Sequence, residues 1–278
     1  MDDPKSNPEL RRPRLRRPRR PSREQLRKGV YILPNLLTTG GMASGFYAMI
    51  NAIDGDYVHA AWFIVLAAIF DLFDGRVARM TRTTSAFGVQ YDSLADLSAF
   101  GVAPAIVLYL WALRDFGQTG WLAAFLFFVC GALRLARFNV QAAEPAGPSK
   151  KHFTGLPIPI AAITTAATVI LHTHILGNVE VHSFFVLILV FSLAFLMVST
   201  IPYRSFKDID LKGGRSFQAL VCFIILILLI LSNPPVMVFC VAMAYVAHGP
   251  IEMVVRGTKR ARQIATGRDP LPRREDNV

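Results

Sequence analysis

Four aspartates, Asp71, Asp74, Asp92 and Asp96, are the residues whose type and spacing could do chemistry. Asp71 and Asp74 are three apart and Asp92 and Asp96 four apart, so on helices each pair projects from one face. Gly88 extends the second stripe, and Gly75 and Ala78 flank the first, leaving room for backbones and a ligand to come close. Both pairs adjoin long apolar runs, where ionised carboxylates are costly and repel one another unless cations join them. Arg76 and Arg79 are near, but two guanidinium groups cannot neutralise two facing carboxylate pairs. Divalent cations can, and an all-oxygen ligand set selects Mg²⁺ or Mn²⁺ over zinc or copper. A site with two such ions suits a diphosphate, with charge stabilised on attacking and leaving oxygens. Arg79, at the membrane edge, is placed to hold a phosphate.

The elements that must position these residues are apolar and long. The chain has 278 residues, 53% hydrophobic and 18% charged, which argues against a soluble domain. A membrane helix needs about 20 mostly apolar residues. The last apolar stretch, 216 to 251, has 36 uncharged residues. As one helix it would be roughly 54 Å long, far beyond a hydrocarbon core of about 30 Å. Ser232-Asn233-Pro234-Pro235 at its midpoint divides it in two. The expectation is an all-α, polytopic membrane helix bundle with about eight spans: 34–53, 57–79, 88–113, 117–138, 155–176, 181–202, 214–231 and 235–254. The second and third form an antiparallel hairpin with the aspartates at its cytoplasmic ends.

Charge supports the same topology. Residues 1–30 carry eleven Lys/Arg and four acids, residues 255–278 seven and three, and the remainder twelve of each. The organisation is therefore a basic arm (1–30), a neutral transmembrane domain (31–254) and a basic tail (255–278). Arg79, Arg82, Lys150, Lys151, Arg204, Lys207, Lys212 and Arg215 fall on the side of both tails, and Arg114 alone of the thirty basic residues falls opposite. That asymmetry places both termini in the cytoplasm. Met1 to Lys28 has no apolar core and is not a cleavable signal peptide. The Arg-rich stretch Arg11 to Arg20 is read as contacting anionic lipid, not nucleic acid. Cys130, Cys222 and Cys240 lack metal or redox spacing and read as buried thiols, and no histidine has a metal-site partner. Pro157 and Pro159 should break or kink the start of the fifth span.

Asp71-x-x-Asp74-Gly75-x-x-Ala78-Arg79, eight residues, then Gly88-x-x-x-Asp92-x-x-x-Asp96 resembles the complete signature of the CDP-alcohol phosphotransferases. Eight specified positions at average composition would coincide with a chance of roughly 10⁻⁷. The resemblance implies a six-helix family core, here with two further helices, and attack of an alcohol on the β-phosphate of a CDP-linked lipid with release of CMP. It implies that Asp71, Asp74, Asp92 and Asp96 hold two divalent cations, Mg²⁺ or Mn²⁺, with Asp96 also the general base. By the same resemblance Gly75, Ala78, Arg79 and Gly88 line the nucleotide site, joined by Ser85, Asn35 and Thr38.

One branch of the family, the membrane-type phosphatidylserine synthases, is resembled at Leu33-Pro34-Asn35-Leu36-Leu37-Thr38, Arg134-Leu135-Ala136-Arg137-Phe138-Asn139 and Phe153-Thr154-Gly155-Leu156-Pro157-Ile158-Pro159, over about residues 31–250. This implies CDP-diacylglycerol and L-serine as substrates. Serine presents a carboxylate and an ammonium group while its hydroxyl faces the metals. Arg134 and Arg137, about one turn apart, could clamp that carboxylate, with Asn139 and Lys151 completing the pocket. Siblings using glycerol phosphate, inositol phosphate or choline remain open at this stage. An ion-coupled transporter is the distant alternative, disfavoured because no second copy of the acidic hairpin occurs. The family further implies a homodimer in a bacterial inner membrane with its site on the cytoplasmic side.

Overall fold

The computed structural model of the chain describes residues 23–81, 85–143, 153–177, 184–203 and 216–265. Helices α1 (Arg23–Ile53) and α2 (Tyr57–Thr81) run back to back, joined by a tight turn. Gly55 takes φ +84° there, and the Asp56 N–H donates to Asn51 O at 2.8 Å. Asp56 then caps α2, accepting from the His59 N–H at 3.1 Å, with its second oxygen 2.7 Å from His59 Nδ1. Ala48, Ala52, Ala60, Ala61 and Ala67 are all buried, so these helices approach through small side chains.

The third rod runs from Ala86 to Phe116. It comprises α3 (Ala86–Asp96), a π-helical turn (Leu97–Val102), α4 (Ala103–Leu108), a second π turn (Tyr109–Leu113) and a 3₁₀ turn (Arg114–Phe116). Pro104 explains the first wide turn. It has no N–H to bond the carbonyl four residues back, and the ladder shifts so that Ala103 N–H donates to Ser98 O, five residues back. This turn lies against α1 at Gly45, where a Cβ would fall 2.6 Å from Ala99 Cα. Only glycine permits that crossing.

Next come α5 (Gln118–Ala143), β1 (Phe153–Thr154), α6 (Ile158–Leu176), α7 (Phe184–Val198), β2 (Pro202–Tyr203), α8 (Ser216–Ser232) and α9 (Pro234–Ala265). α6 packs against α2 and α9, α5 against α7, and α8 against α9. Pro157 caps α6 and Pro159 sits in its first turn, as the sequence suggested. The turn at Ser232 to Pro235 separates α8 from α9.

Some expectations change. The sixth span, expected to reach 202, ends at Val198, because the chain leaves the helix to pair Tyr203 with Phe153 and Pro202 with Thr154 in a short antiparallel ladder. Gly155, at φ +85°, directs its N–H to Ile201 O at 2.9 Å. α1 begins at Arg23 and α9 continues to Ala265, so both helices extend into the basic arm and tail. Among the described residues, five helices are long and apolar enough to cross a bilayer: 57–81, 86–116, 118–141, 158–176 and 234–255. Of the other expected spans, α1 is long but is not among these five, and α7 with 15 residues and α8 with 17 are shorter than about 20. Large side chains such as Phe46, Phe125, Phe184 and Phe195 are exposed over much of the surface, which suits a lipid-facing wall and marks a membrane protein. Cys130 is buried as expected, whereas Cys240 is exposed on α9.

Candidate active site

α1 packs against both α2 and α3, while α2 and α3 make few contacts of their own. The expected hairpin is therefore held open by α1, and a narrow, half-open cleft lies between its arms. Its walls carry Asp71 and Asp74 from α2, Asp92 and Asp96 from α3, and Thr38 from α1. Ala67, Ala99 and Phe100 close its inner end. The site is deeper than the helix ends: Asp71 lies ten residues before the end of α2 at Thr81, roughly 15 Å along the helix.

Asp71, Asp74 and Asp92 each present a carboxylate oxygen, all within 4.8 Å of one another. At that spacing and an effective dielectric constant of about 20, two unit charges repel by about 3.5 kcal/mol. Three such pairs approach about 10 kcal/mol, as large as the whole net stability of a typical domain. To stay ionised together they need compensating positive charge. The oxygen-only donor set fits a hard divalent cation, as the sequence suggested. Asp96 lines the same cleft without joining the close triad, and its charged neighbours are Asp71, Asp92, Asp74 and Arg134.

Side chains around the cleft hold it in shape. The buried Thr38 hydroxyl lies 2.9 Å from Asp74 Oδ2 and 3.1 Å from Pro34 O, one donor shared between two acceptors. Asn35 Oδ1 is 3.7 Å from where a Cβ on Gly88 would stand. Ser85 caps α3, its Oγ accepting from Gly88 N–H at 2.9 Å. Ala78 is half-buried on α2, and the exposed Arg79 folds back so that Nη1 is 3.4 Å from the Cβ position of Gly75. The Arg79 charge faces Asp71 and Asp74.

The expected acceptor residues separate. The Arg134 guanidinium carbon sits 5.7 Å from the Phe138 ring centroid, its buried Nε has no hydrogen-bond partner, and its charged neighbours include Asp96. Arg137 instead reaches the end of α7, donating to Val198 O at 3.2 Å and Ser199 O at 3.0 Å. Asn139 Nδ2 donates to Ser93 Oγ at 2.9 Å, tying α5 to the residue after Asp92. Lys151 lies outside the described residues. Sequence reasoning missed the tie between Thr39 Oγ1 and Tyr91 Oη at 2.9 Å, and the Tyr203–Tyr245 stack near Arg134. No spacing rule joins residues so far apart. The proline behind the π turn after Asp96 was legible, but the turn itself was not.

Comparison with known proteins agrees with this geometry. Residues 31–189 match the CDP-alcohol phosphatidyltransferase family. A CDP-diacylglycerol–serine O-phosphatidyltransferase of Helicobacter pylori is 42% identical over 185 residues, 65% of this chain and 75% of that protein. One of Bacillus subtilis is 32% identical over 186 residues, 66% of this chain and 97% of the relative. An archaetidylserine synthase of Methanothermobacter thermautotrophicus is 39% identical over 173 residues, 62% of this chain and 69% of its own.

Proposed function

The chain belongs to the CDP-alcohol phosphatidyltransferase family, and from that premise we propose that it transfers the phosphatidyl group of CDP-diacylglycerol to L-serine, giving phosphatidylserine and CMP. The observation that carries the reading is the convergence of Asp71, Asp74 and Asp92 in one cleft with Asp96 beside them and Arg134 behind Asp96. Relatives from bacteria and an archaeon are named for serine products on two kinds of lipid, which supports serine as the acceptor.

The family depends on divalent metals in general, and the acidic triad suits one. In this reading Asp71, Asp74 and Asp92 would hold the cations with Asp96 completing the second position, Mg²⁺ and Mn²⁺ both matching the donor set. When bound they would neutralise the diphosphate and stabilise charge on the attacking and leaving oxygens. Arg79, beside Gly75, would contact phosphate, while the small Gly75, Ala78 and Gly88 leave space for the nucleotide. Asn35 and Thr38 border that space, and Ser85 acts through its cap on Gly88.

At the acceptor end, Arg134 would hold the serine carboxylate, with Asn139 lining the same end and Arg137 bracing α7. The Asp96 carboxylate accepts the hydroxyl proton as the serine oxygen bonds to the β-phosphorus and the bond to the CMP oxygen breaks. Lys151, outside the described residues, would complete this pocket by its charge. The charge asymmetry supports a site open to the cytoplasm of a bacterial inner membrane, with basic tails on anionic lipid. A homodimer is part of the same reading.

The purified chain, given CDP-diacylglycerol, Mg²⁺ or Mn²⁺ and one alcohol at a time, should release CMP with serine and not with glycerol phosphate, inositol phosphate or choline. Release with a different alcohol alone would reassign the acceptor and keep the family chemistry.

A further inference from the structure

Asp92 is the acid of α3 that reaches Asp71 and Asp74, and both of its chain neighbours are tied to other helices. On one side, Tyr91 Oη lies 2.9 Å from Thr39 Oγ1 of α1. The Thr39 hydroxyl already donates to Asn35 O at 2.7 Å, so the tyrosine is the donor in this pair. On the other side, Ser93 Oγ accepts from Asn139 Nδ2 of α5 at 2.9 Å and donates to Val89 O at 2.9 Å. With its one hydrogen spent on Val89 O, the serine can only accept from α5, and the Asn139 amide supplies the N–H it needs. The Asn139 bond is the better shielded of the two, since the Thr39 pair is exposed.

Successive residues of an α-helix project about 100° apart, so Tyr91 and Ser93 point to opposite flanks of α3 with Asp92 between them. Among the described residues, α3 packs chiefly along α1, while α5 meets the third rod at the π turn after Asp96. The two side-chain bonds therefore act as stays. A roll of α3 toward α1 stretches the Asn139 bond, and a roll toward α5 stretches the Thr39 bond. The control matters because a carboxylate about 6 Å from the helix axis moves about 1 Å for every 10° of roll. Mg²⁺ takes its oxygens at about 2.0–2.1 Å, which leaves no such latitude.

We propose, resting on the reading of Asp92 as a cation ligand, that Ser93 and Asn139, with Tyr91 and Thr39 as the weaker counterpart, are positioning residues that hold the Asp92 carboxylate where a divalent cation requires it. Mn²⁺ binding to the purified full chain without either substrate, followed by electron paramagnetic resonance, reads this apart from turnover. Ser93→Ala should raise the Mn²⁺ Kd about fivefold, and Ser93→Thr, which keeps the hydroxyl, should bring it back to within about twofold of the wild type. Asn139→Leu removes the donor from α5 and should match Ser93→Ala. Tyr91→Phe, at the exposed tie, should raise the Kd about twofold. The Ser93→Ala/Asn139→Leu double variant should bind no more weakly than either single variant, because all three lack the same bond. An unchanged Mn²⁺ Kd in Ser93→Ala or in Asn139→Leu overturns the proposal, since the contact would then only pack α5 or serve the acceptor. Fully additive losses in the double variant overturn it as well. Should Ser93→Ala fail to accumulate, Asn139→Leu decides by the same readout. A wild type that binds no Mn²⁺, or an Asp92→Asn variant that binds it as well as the wild type, overturns the cation reading and this inference with it. Binding that Asp92→Asn abolishes and Ser93→Ala leaves untouched overturns this inference alone.

Discussion

Aspartate stands at the start of α2 and again beyond its middle, and the protein treats the two places in opposite ways. At the start, Asp56 is satisfied by its own helix, taking the His59 N–H at 3.1 Å and facing the His59 ring at 2.7 Å. Further along, Asp71 and Asp74 face Asp92 and Asp96 across a cleft, with triad oxygens within 4.8 Å. The first arrangement stabilises a helix end and asks for nothing more. The second gathers like charges that the fold would be more stable without. An acid answered locally serves the fold, and under the proposed function acids brought together from different helices serve a ligand.

The contrast is broken or sharpened most strongly at the cleft. Asp92→Asn should lower serine-dependent CMP release by roughly 10³- to 10⁴-fold, and Asp96→Asn by roughly 10²- to 10⁴-fold with CDP-lipid binding retained. In chelator, Asp92→Asn should melt higher than the wild type, because one repelling carboxylate is gone from the triad. Adding Mn²⁺ should raise the wild-type Tm and move the variant little, since a ligand stabilises the state that binds it. A variant that melts lower than the wild type in chelator would show that the acids stabilise the fold. Appreciable turnover by Asp96→Asn would remove it as the base.

The cleft was legible in the sequence because helical spacing of three and four puts Asp71 with Asp74 and Asp92 with Asp96 whatever the tertiary packing. The long spans were legible for a similar reason, since apolar length is local. What stayed hidden depends on contacts between distant segments. Arg134 and Arg137 share a helix face and looked like one clamp, yet Arg137 is taken by the carbonyls of Val198 and Ser199. The sixth span looked continuous, yet the ladder with Phe153 and Thr154 ends it at Val198. The wedge of α1 between the arms of the acidic hairpin follows from Gly45 meeting Ala99, a pairing that no periodicity announces.

That wedge supplies the next two tests. Gly45→Leu would drive side-chain atoms into the Ala99 backbone, so α1 must shift and the protein should lose about 1–3 kcal/mol. Because Ala99 is three residues past Asp96, activity per folded molecule should fall as well. Normal turnover in the surviving protein would mean that the α1 crossing does not set the geometry of the acids. Thr38→Val is gentler. It removes the hydroxyl 2.9 Å from Asp74 Oδ2, and one hydrogen bond to a charged group predicts about a tenfold loss of turnover. An effect confined to Tm, with turnover unchanged, would move Thr38 from the site to the scaffold.

The smallest effect belongs to the start of α2, where the contrast demands that activity not change at all. Asp56→Ala removes the cap and should lower stability by about 1 kcal/mol or less, the residue being exposed to solvent. The backbone N–H of His59, chiefly, holds the Asp56 carboxyl below its ordinary value of 3.8; burial opposes it, and the His59 ring adds a lesser lowering. A carboxyl whose folded value is depressed stabilises the protein at pH above its unfolded value, and the contribution disappears as pH falls through the folded one. The Tm gap between wild type and Asp56→Ala should therefore be constant around neutrality and close in acid below that ordinary value. CMP release per folded molecule should be the same in both proteins across that range. A gap that widens in acid would mean that Asp56 is not held as its charged form. A loss of turnover would mean that the two places on α2 are coupled, and that an acid answered within its own helix can still serve the ligand.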